Sequence, residues 1–337
     1  TIKDIARIAG ISSATVSRAL NKSDEVSEQT RQRILEICER EGYQANVIAR
    51  SLISQKSNVI GLIIPEVTNP FYSELALAIE LRARELGYNI MLCNDLYDKE
   101  QTEELFNLLL GHQVDGIILS SSRNDNLACL QQPNSNLPIV LLGDTLTSEM
   151  GMQVNCVSTD NVIGGKLGGE YLIRLGHKDI IYFGLRRGSL THQHRFEGLK
   201  QAADANNANV TVCENTGFRS SMDRGYELGK ELFQKGIDST AIFAANDAMA
   251  LGLLRAADEY GIKIPEDISL LGFDNIVYTS LPKINLTTIS QQQHLLGPTA
   301  VEVLIETIEN NDTTTFTHKL IRPQLIERSS CRVLSSQ

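Results

Sequence analysis

The chain has 337 residues, too many for one ordinary hydrophobic core and enough for two or three compact units. Hydrophobic residues make up 42% and charged residues 21%, as in soluble globular proteins, and no run of about eighteen apolar residues predicts a transmembrane helix or a membrane partner. The net charge of -10, taken over the whole chain, argues against nucleic-acid binding.

The charge is divided unevenly along the chain. Residues 1–56 carry nine Lys and Arg against seven Asp and Glu, a net charge of +2, so the remaining residues carry -12. A slightly basic first segment before an acidic remainder is typical of a protein that contacts DNA with one end only.

Three short helical patterns occupy the first segment, and each has its own start or stop signal. In the first, Gly10 ends a run of apolar residues at helical spacing, namely Ile2, Ile5, Ala6 and Ala9. Ser12 or Ser13 can cap the second, whose inward residues are Val16 and Leu20. Ser27 can cap the third, which Gly42 ends and whose apolar stripe is Ile34, Ile37 and Cys38.

The first two helices have the dimensions of a helix-turn-helix, whose second helix enters the major groove of DNA. The side chains that would meet the DNA are Ser13, Ala14, Thr15, Ser17 and Arg18. Arg18 is suited to a bidentate contact with guanine, and the hydroxyls are suited to phosphates or bases. The spacing alone fits a three-helix bundle without a DNA role equally well.

Strand-length apolar runs begin after residue 57 and alternate with helical patterns. The first series is 59–64, 89–93, 114–120 and 138–142, with helices at about 71–86 and 100–111. The second series is 179–184, 209–213, 240–245 and 268–273, again with helices between the strands. Such alternation indicates parallel sheets, and two series predict two α/β lobes with a ligand cleft at the carboxyl ends of the strands.

The whole chain resembles the lactose-repressor (LacI/GalR) family of bacterial transcriptional regulators. The head carries TIKDIARIAGISSATVSRALN, VSEQTRQRILEICEREGY and NVIARSL, and the body carries IPEVTNPFYSEL, VDGIIL, LIRLGHKDI, RFEGL, AIFAANDAMALG, LGFDN and LTTISQ, all in the family's order. The resemblance implies a small all-α helix-turn-helix head followed by an α/β two-lobed domain of the periplasmic-binding-protein type.

For the head, the resemblance implies that Ser13 and Ala14 hold the positions that vary operator preference and that Arg18 contacts a base. It implies a hinge helix that enters the minor groove, with Asn46, Ala49 and Leu52 as its DNA contacts and Leu52 as an apolar wedge. Ala45 departs from the proline that the family usually has there, which loosens the start of this helix. An amphipathic linker packed against the body is the alternative.

For the body, the resemblance implies an effector site in the cleft between the lobes. The matching positions are Asn69, Phe71, Tyr72, Ser121, Asp144, Arg195, Phe218, Asn246 and Asp274. Carboxylates, an amide and a guanidinium suit adjacent hydroxyls, and aromatic rings suit a ring face. Each residue also has a structural alternative: Asn246 and Asp247 as helix caps, Asp274 as a turn residue, and Phe71 and Phe218 as core residues.

The resemblance also gives the domain boundaries. We expect a DNA-binding domain at 1–45, a hinge at 46–56 and an effector-binding and dimerisation domain at 57–333. The chain would cross between the lobes three times. Lobe one would contain about 58–158 and 290–320. Lobe two would contain about 159–287 and 321–333, with the last strand at about 317–328.

A neutral, hydroxyl-rich effector such as a mono- or disaccharide is expected, because the cleft has two acidic positions and few aromatic residues. A purine or nucleoside between aromatic rings is the alternative, and a protein corepressor, as in one branch of the family, is another. We expect a homodimer on a near-palindromic double-stranded operator, since one head contacts half a site and the nine residues after Arg328 are too short for a tetramerising helix.

Two other protein classes are disfavoured. An enzyme would need a phosphate loop, a nucleophile elbow or paired metal ligands, and the glycine-rich run 164–169 instead fits close helix packing. His177, His192 and His194 lack a nucleophile or metal partner by spacing. A sugar-binding transport protein would explain the body but leaves the helix-turn-helix head without a role, and the sequence lacks an export signal.

The cysteines and the start of the sequence favour a reducing cytoplasm. Thr1 to Asp4 lack the basic-then-apolar pattern of a secretory signal. The cysteines have neither a CxxC pair nor zinc-like spacing; they are Cys38, Cys93, Cys129, Cys156, Cys213 and Cys331. We therefore expect free thiols, and neither a metal nor a cofactor.

Overall fold

The computed structural model describes residues 1–20, 25–43, 56–120, 137–143, 154–217, 219–310 and 315–334. The chain divides into two compact units, residues 1–57 and 58–337. Among the described helices, none is both long and apolar enough to cross a membrane.

In residues 1–20 and 25–43 the first unit has three helices whose ends are set by their capping residues: α1 (Ile2–Ala9), α2 (Ser13–Leu20) and α3 (Glu28–Arg40). Gly10 ends α1 in the left-handed conformation, with φ of +68°, which glycine adopts without strain. Ser12 begins α2, because its Oγ accepts a hydrogen bond from Thr15 N at 3.1 Å. Ser27 begins α3 by accepting from Thr30 N at 3.3 Å.

A small apolar core holds these three helices together. Ile5, Val16 and Ile34 are at most 1% exposed, and one of them comes from each helix. The predicted stripe of Ile34, Ile37 and Cys38 on α3 is buried in this core, which confirms the helical spacing read from the sequence.

The described part of the second unit forms two six-stranded sheets, each of which is the centre of one lobe. In sheet one all paired strands are parallel. Its strands are β1 (Val59–Ile64), β2 (Asn89–Asn94), β3 (Gly116–Ser120), β4 (Ile139–Leu142), β5 (Asn155–Thr159) and β11 (His318–Ile321), in the order β11-β5-β4-β3-β1-β2.

Sheet two is parallel except for one antiparallel edge strand, β12. Its strands are β6 (Asp179–Leu185), β7 (Asn209–Glu214), β8 (Ala241–Ala244), β9 (Ser269–Asp274), β10 (Thr287–Ser290) and β12 (Gln324–Ile326), in the order β12-β10-β9-β8-β6-β7. The predicted two-lobed α/β arrangement is therefore present.

Helices cover both sheets, as parallel strands require. They are α4 (Pro70–Glu85), α5 (Lys99–Gly111), α6 (Asn161–Arg174), α7 (Leu190–Ala205), α8 (Met222–Lys235), α9 (Asp247–Glu259) and α10 (Gln293–Asn310), with a 3₁₀ turn at Val277–Ser280. Leu75 of α4 and Leu304 of α10 lie in the core of lobe one, whereas Phe183 and Leu253 lie in that of lobe two.

The chain crosses between the lobes three times: after β5, after β10 and between β11 and β12. The segments at these crossings are hydrogen-bonded to one another. Asp160 N donates to Ile321 O at 3.0 Å, Thr159 Oγ1 donates to Gln291 O at 3.4 Å, and the Gln292 carboxamide donates to Arg322 O. The three crossing segments between the lobes are thus one connected strip rather than three independent linkers.

The prediction of a single last strand at about 317–328 is wrong. Pro323 follows the end of β11 and precedes β12, so the segment contributes one short strand to each sheet. A proline has no N–H for a sheet ladder, and a break at that position is therefore expected.

Close packing explains the glycine-rich run on α6, as the sequence analysis predicted. A Cβ at Gly165 would overlap the carbonyl oxygen of Arg195, and a Cβ at Gly198 would overlap that of Val162. The backbones of α6 and α7 therefore touch, which fixes the position of Arg195 on α7.

Candidate functional site

The exposed face of α2 carries two of the predicted DNA contacts. Ala14 and Arg18 are exposed and lie one helical turn apart, whereas Ser13, Thr15 and Ser17 are half-buried. The Thr15 hydroxyl lies 2.9 Å from the Ser12 hydroxyl at the start of the helix, so it serves the cap in this structure.

Arg18 forms an ion pair with Glu25, with 3.2 Å between Nε and Oε2. Their side chains are 55% and 69% exposed, and an exposed pair of this kind contributes little to stability. Arg18 can therefore exchange this partner for a base or phosphate at small cost. Asn46, Ala49 and Leu52, the predicted hinge contacts, lie outside the described residues.

A cleft that is partly open to solvent lies between the lobes of the second unit. The structure brings together these predicted effector residues along its walls: Asn69, Phe71, Tyr72, Arg195, Asn246 and Asp274. The other three predicted positions, Ser121, Asp144 and Phe218, lie outside the described residues. Their neighbours Ser120 and Gly143 do line the cleft.

Arg195 is the central charged group of the cleft and is 3% exposed. Its Nε donates to Asn161 Oδ1 at 2.7 Å and its Nη1 donates to Ala245 O at 2.6 Å. Its guanidinium lies 3.7 Å from the centre of the Phe273 ring. The side chain is therefore fixed before any ligand arrives, which lowers the entropy cost of binding.

Asp274 is the last residue of β9 and accepts a hydrogen bond at 2.6 Å from the carboxamide of Gln291, which lies in the crossing segment after β10. Arg195 Nη1 lies 3.5 Å from the same carboxylate. Burial raises the pKa of Asp274 to about 7, although the Arg195 charge opposes this shift. Asp274 therefore joins β9, Arg195 and the crossing segment after β10 in one hydrogen-bonded group.

Asn246 caps helix α9, with its Oδ1 accepting from Met249 N at 2.8 Å and its Nδ2 donating to Ser220 O at 3.1 Å. Both Asn246 and Asp247 were predicted as possible caps; the prediction is confirmed for Asn246 and is wrong for Asp247. Asp247 is fully buried and accepts from Thr288 Oγ1 at 2.7 Å and from Ile276 N at 3.0 Å. Its carboxylate thus holds the turn after β9.

The lobe-one wall contains Asn69, Phe71 and Tyr72. Asn69 caps α4, because its Oδ1 accepts from Phe71 N at 3.1 Å. Phe71 is 9% exposed and packs in the core of lobe one, so only part of its ring reaches the cleft. Tyr72 meets Phe71 edge-on at 5.1 Å between ring centres.

Sequence reasoning missed several residues that line the cleft: Tyr97, Asn161, Arg186, His192, Ser220 and Gln291. Arg186 lies 5.3 Å from the centre of the Tyr97 ring, which belongs to the other lobe. His192 could have been found from its spacing, because it lies three residues before Arg195 early in a helix that follows a strand, and residues three apart lie on the same face of a helix.

Further contacts join the lobes at the edge of the cleft. Glu74 Oε1 on α4 accepts from Val277 N at 2.8 Å, and Glu66 lies 3.9 Å from Arg219. Partial burial raises the pKa of Glu74. These contacts depend on the lobes being close together, so a change in lobe spacing would break them.

Comparisons with known proteins cover the whole chain. Residues 1–46 match the model for bacterial regulatory proteins of the lacI family, and residues 57–329 match the model for periplasmic binding proteins and the sugar binding domain of the LacI family. The HTH-type transcriptional regulator DegA of Bacillus subtilis is 34% identical over 88% of this chain and 88% of its own.

Two solved structures are similar as well. A crystal structure of the lac repressor dimer bound to operator and an anti-inducer has a TM-score of 0.86 and 28% identity, covering 98% of this chain and 99% of that one. A LacI family transcriptional regulator from Enterococcus faecium with bound ribose has a TM-score of 0.69 and 28% identity, covering 82% of this chain and 100% of that one.

Proposed function

Since this chain belongs to the LacI family of bacterial regulatory proteins and is a DNA-binding transcriptional regulator, we propose that it is a sugar-responsive repressor. It binds a near-palindromic operator as a dimer, and a sugar in the cleft weakens that binding. The observation that carries the proposal is that one chain contains both an exposed Arg18 on a helix-turn-helix and a polar cleft built around Arg195.

The domain assignment follows the sequence boundaries. Residues 1–45 bind DNA through Ser13, Ala14, Ser17 and Arg18, with Thr15 holding the start of α2. Residues 46–56 form the hinge helix, in which Asn46, Ala49 and Leu52 contact the minor groove. Residues 57–333 bind the effector and dimerise. We propose that the protein acts in the cytoplasm, where a bacterial repressor meets its operator DNA.

A sugar is favoured over a purine by the chemistry of the cleft walls. The lining contains uncharged hydrogen-bonding side chains from both lobes, including Asn69, Ser120, Thr159, Ser189 and Thr191. Such groups suit adjacent hydroxyls. Phe71 packs mainly in the lobe core, so it offers little ring face to a flat base. The Enterococcus faecium relative with bound ribose and the sugar-binding family model add support.

The mechanism couples lobe spacing to DNA binding. A sugar can bridge Arg195 and Asp274 in lobe two to Asn69 in lobe one. It then changes the angle between the lobes at the three hydrogen-bonded crossing segments. That movement changes the separation of the two hinge helices in a dimer. Coupling is reciprocal, so the operator must weaken sugar binding by the same factor by which the sugar weakens operator binding.

The test of the proposed function is selection of bound duplexes from a random DNA pool at near-physiological salt, repeated with D-ribose, D-xylose, D-glucose, cellobiose, adenine and guanosine. We expect a two-fold symmetric site with a flexible central step, and release of that site by one of the sugars. Release of the DNA by adenine or guanosine, and by none of the sugars, would mean that the effector is a purine and not a sugar. Salt-sensitive binding without enrichment under every condition would contradict the proposal.

The dimer is proposed to use apolar side chains that are exposed on both lobes. Leu77 and Leu81 on α4 are 55% and 49% exposed, and Val277 and Leu281 are 57% and 47% exposed. The Glu74–Val277 hydrogen bond places these two groups next to each other. An apolar surface of this kind is typical of a protein interface.

Replacing Leu81 by arginine is expected to weaken the dimer by about 100-fold or more, because the two-fold axis uses the residue twice and each buried leucine contributes roughly 1.5–3 kcal/mol. Sedimentation measures the dimer dissociation constant. Leu108→Arg is the matched control, since Leu108 is also 49% exposed but lies on α5. Equal effects of the two substitutions would exclude the α4 surface as the interface.

A further inference from the structure

His192 occupies a position in the cleft that the proposed function leaves without a role. It lies in the first turn of α7, where its N–H donates to the capping Ser189 Oγ at 3.4 Å. It is 6% exposed and lines the cleft three residues before Arg195. The Tyr182 hydroxyl donates to His192 O at 3.0 Å, which fixes the backbone at this position.

The hydrogen bonding of the ring determines which nitrogen carries the proton. His192 Nδ1 lies 3.2 Å from Gly184 O, and a carbonyl oxygen only accepts hydrogen bonds. Nδ1 therefore carries the hydrogen. Nε2 of the neutral ring then has a free lone pair, and it has no hydrogen-bond partner among the residues that the structure describes.

The surroundings of the ring keep it neutral. Burial, together with the positive charges of Arg186 and Arg195, lowers the pKa of His192 well below its usual value. A neutral imidazole with Nδ1 already occupied can do one thing at Nε2, which is to accept a hydrogen bond.

Ser220 provides a second polar atom without a partner on the same lobe. The residue is 6% exposed and lines the cleft, and its buried Oγ has no hydrogen-bond partner among the described residues. A buried hydroxyl without a partner destabilises the folded protein, so a ligand that supplies the partner gains affinity. The backbone oxygen of Ser220 is fixed by Asn246 Nδ2 at 3.1 Å.

We infer that His192 Nε2 accepts a hydrogen bond from a hydroxyl group of the effector, and that Ser220 Oγ makes a second polar contact with the effector on the lobe-two wall. The inference rests on the proposed function and narrows it to a ligand that carries an un-ionised O–H at this position. An ionised phosphate or carboxylate oxygen has no hydrogen to give to Nε2. His192 thereby selects a neutral sugar over its phosphate or its acid, although Arg186 and Arg195 attract anions.

Two substitutions separate the roles of the two ring nitrogens. In His192→Gln, Oε1 replaces the acceptor at Nε2, whereas in His192→Asn, Nδ2 replaces only the donor at Nδ1. Calorimetric titration with the sugars named above, their monodeoxy derivatives and D-ribose 5-phosphate measures binding to each protein. We expect His192→Gln to stay within about 3-fold of the unmodified protein and His192→Asn to bind about 10-fold or more weakly.

The monodeoxy sugars identify the contact itself. The derivative that lacks the contacting hydroxyl should bind the unmodified protein about 10-fold more weakly than the parent sugar and lose nothing further in His192→Asn. The opposite pattern, in which His192→Asn binds the sugar with full affinity and His192→Gln loses affinity, would overturn the inference. The His192 ring would then act only through the hydrogen bond from Nδ1 to Gly184 O. Tighter binding of D-ribose 5-phosphate than of D-ribose would also overturn it.

The ligand-free protein gives an independent result. Side-chain ¹⁵N spectra of histidine-labelled protein, assigned with His192→Gln, should show a protonated Nδ1 and a bare Nε2. A protonated Nε2 would overturn the inference whether or not a sugar binds. A bare Nε2 in a protein that binds none of the sugars would support the acceptor and show that the sugar class of the proposed function has failed instead.

Discussion

Replacing Arg195 by alanine is expected to abolish sugar binding, by at least about 100-fold, and to lower the free energy of unfolding by about 3–5 kcal/mol. The side chain is buried and holds Asn161, Ala245 O and Asp274 together. Its removal leaves the Asp274 carboxylate buried without a cation. Urea unfolding measures the stability loss, and calorimetric titration with the identified sugar measures the affinity.

The pH dependence distinguishes loss of the charge from loss of packing. The pKa of Asp274 is raised to about 7 by burial, and removing Arg195 raises it further because the opposing positive charge disappears. Below about pH 7 the carboxyl group is mostly neutral in both proteins, whereas above it only the unmodified protein has the Arg195 charge to reduce the cost of burying the ionised form. The stability loss should therefore be larger at about pH 8 than at about pH 6.

Arg195→Lys is the control for charge without the guanidinium fork. It keeps a cation near Asp274 but cannot reach Asn161 and Ala245 O together, so we expect sugar binding to stay weak and part of the stability to return. A stability loss in Arg195→Ala that is independent of pH would contradict the role given to Asp274.

Replacing Arg18 by alanine is expected to weaken operator binding by roughly 30-fold to more than 10⁴-fold, since a bidentate contact with guanine is worth about 1–3 kcal/mol and a dimer makes it twice. Its ion pair with Glu25 is exposed and contributes little to the fold, so the unfolding free energy should hardly change. Fluorescence anisotropy on the selected operator measures the affinity.

Arg40→Ala is a matched control for the loss of an arginine from the head. Arg40 is 65% exposed at the end of α3 and pairs with Glu41 at 3.1 Å, much as Arg18 pairs with Glu25. We expect it to change operator affinity by less than about 3-fold. Comparable losses for both substitutions would mean that overall charge, rather than a base contact by α2, determines binding.

Most strands were predictable because they are continuous apolar runs, and two were not, because their polar residues are buried with distant partners. β10 reads Thr-Thr-Ile-Ser, yet all four residues are buried. Thr288 Oγ1 donates to Asp247 and Thr287 Oγ1 accepts from Arg328 N. In β5, Asn155 bonds to Thr307 and Thr317 N. Such long-range pairs leave no local pattern in the sequence.

The cleft was predictable where a residue lies at the carboxyl end of a strand, as Asp274 does, or matches the family motif, as Arg195 does. Arg186 and His192 were missed for a physical reason. Their direction depends on where β6 ends and how α7 begins, and His192 was considered only as a nucleophile or a metal ligand. A hydrogen-bond acceptor held by Gly184 O needs the folded backbone to be recognised.

The three crossings between the lobes delay the completion of lobe one until most of lobe two has been synthesised. Domains made first on the ribosome usually fold first. Lobe one begins with β1, but its sheet needs β11 and its core needs Ala300, Val301 and Leu304 of α10. The strands of lobe two from β6 to β10 are all made before those residues. The apolar strands of lobe one therefore stay uncovered on the nascent chain while β6 to β10 are made, and only the edge strand β12 of lobe two is made after β11.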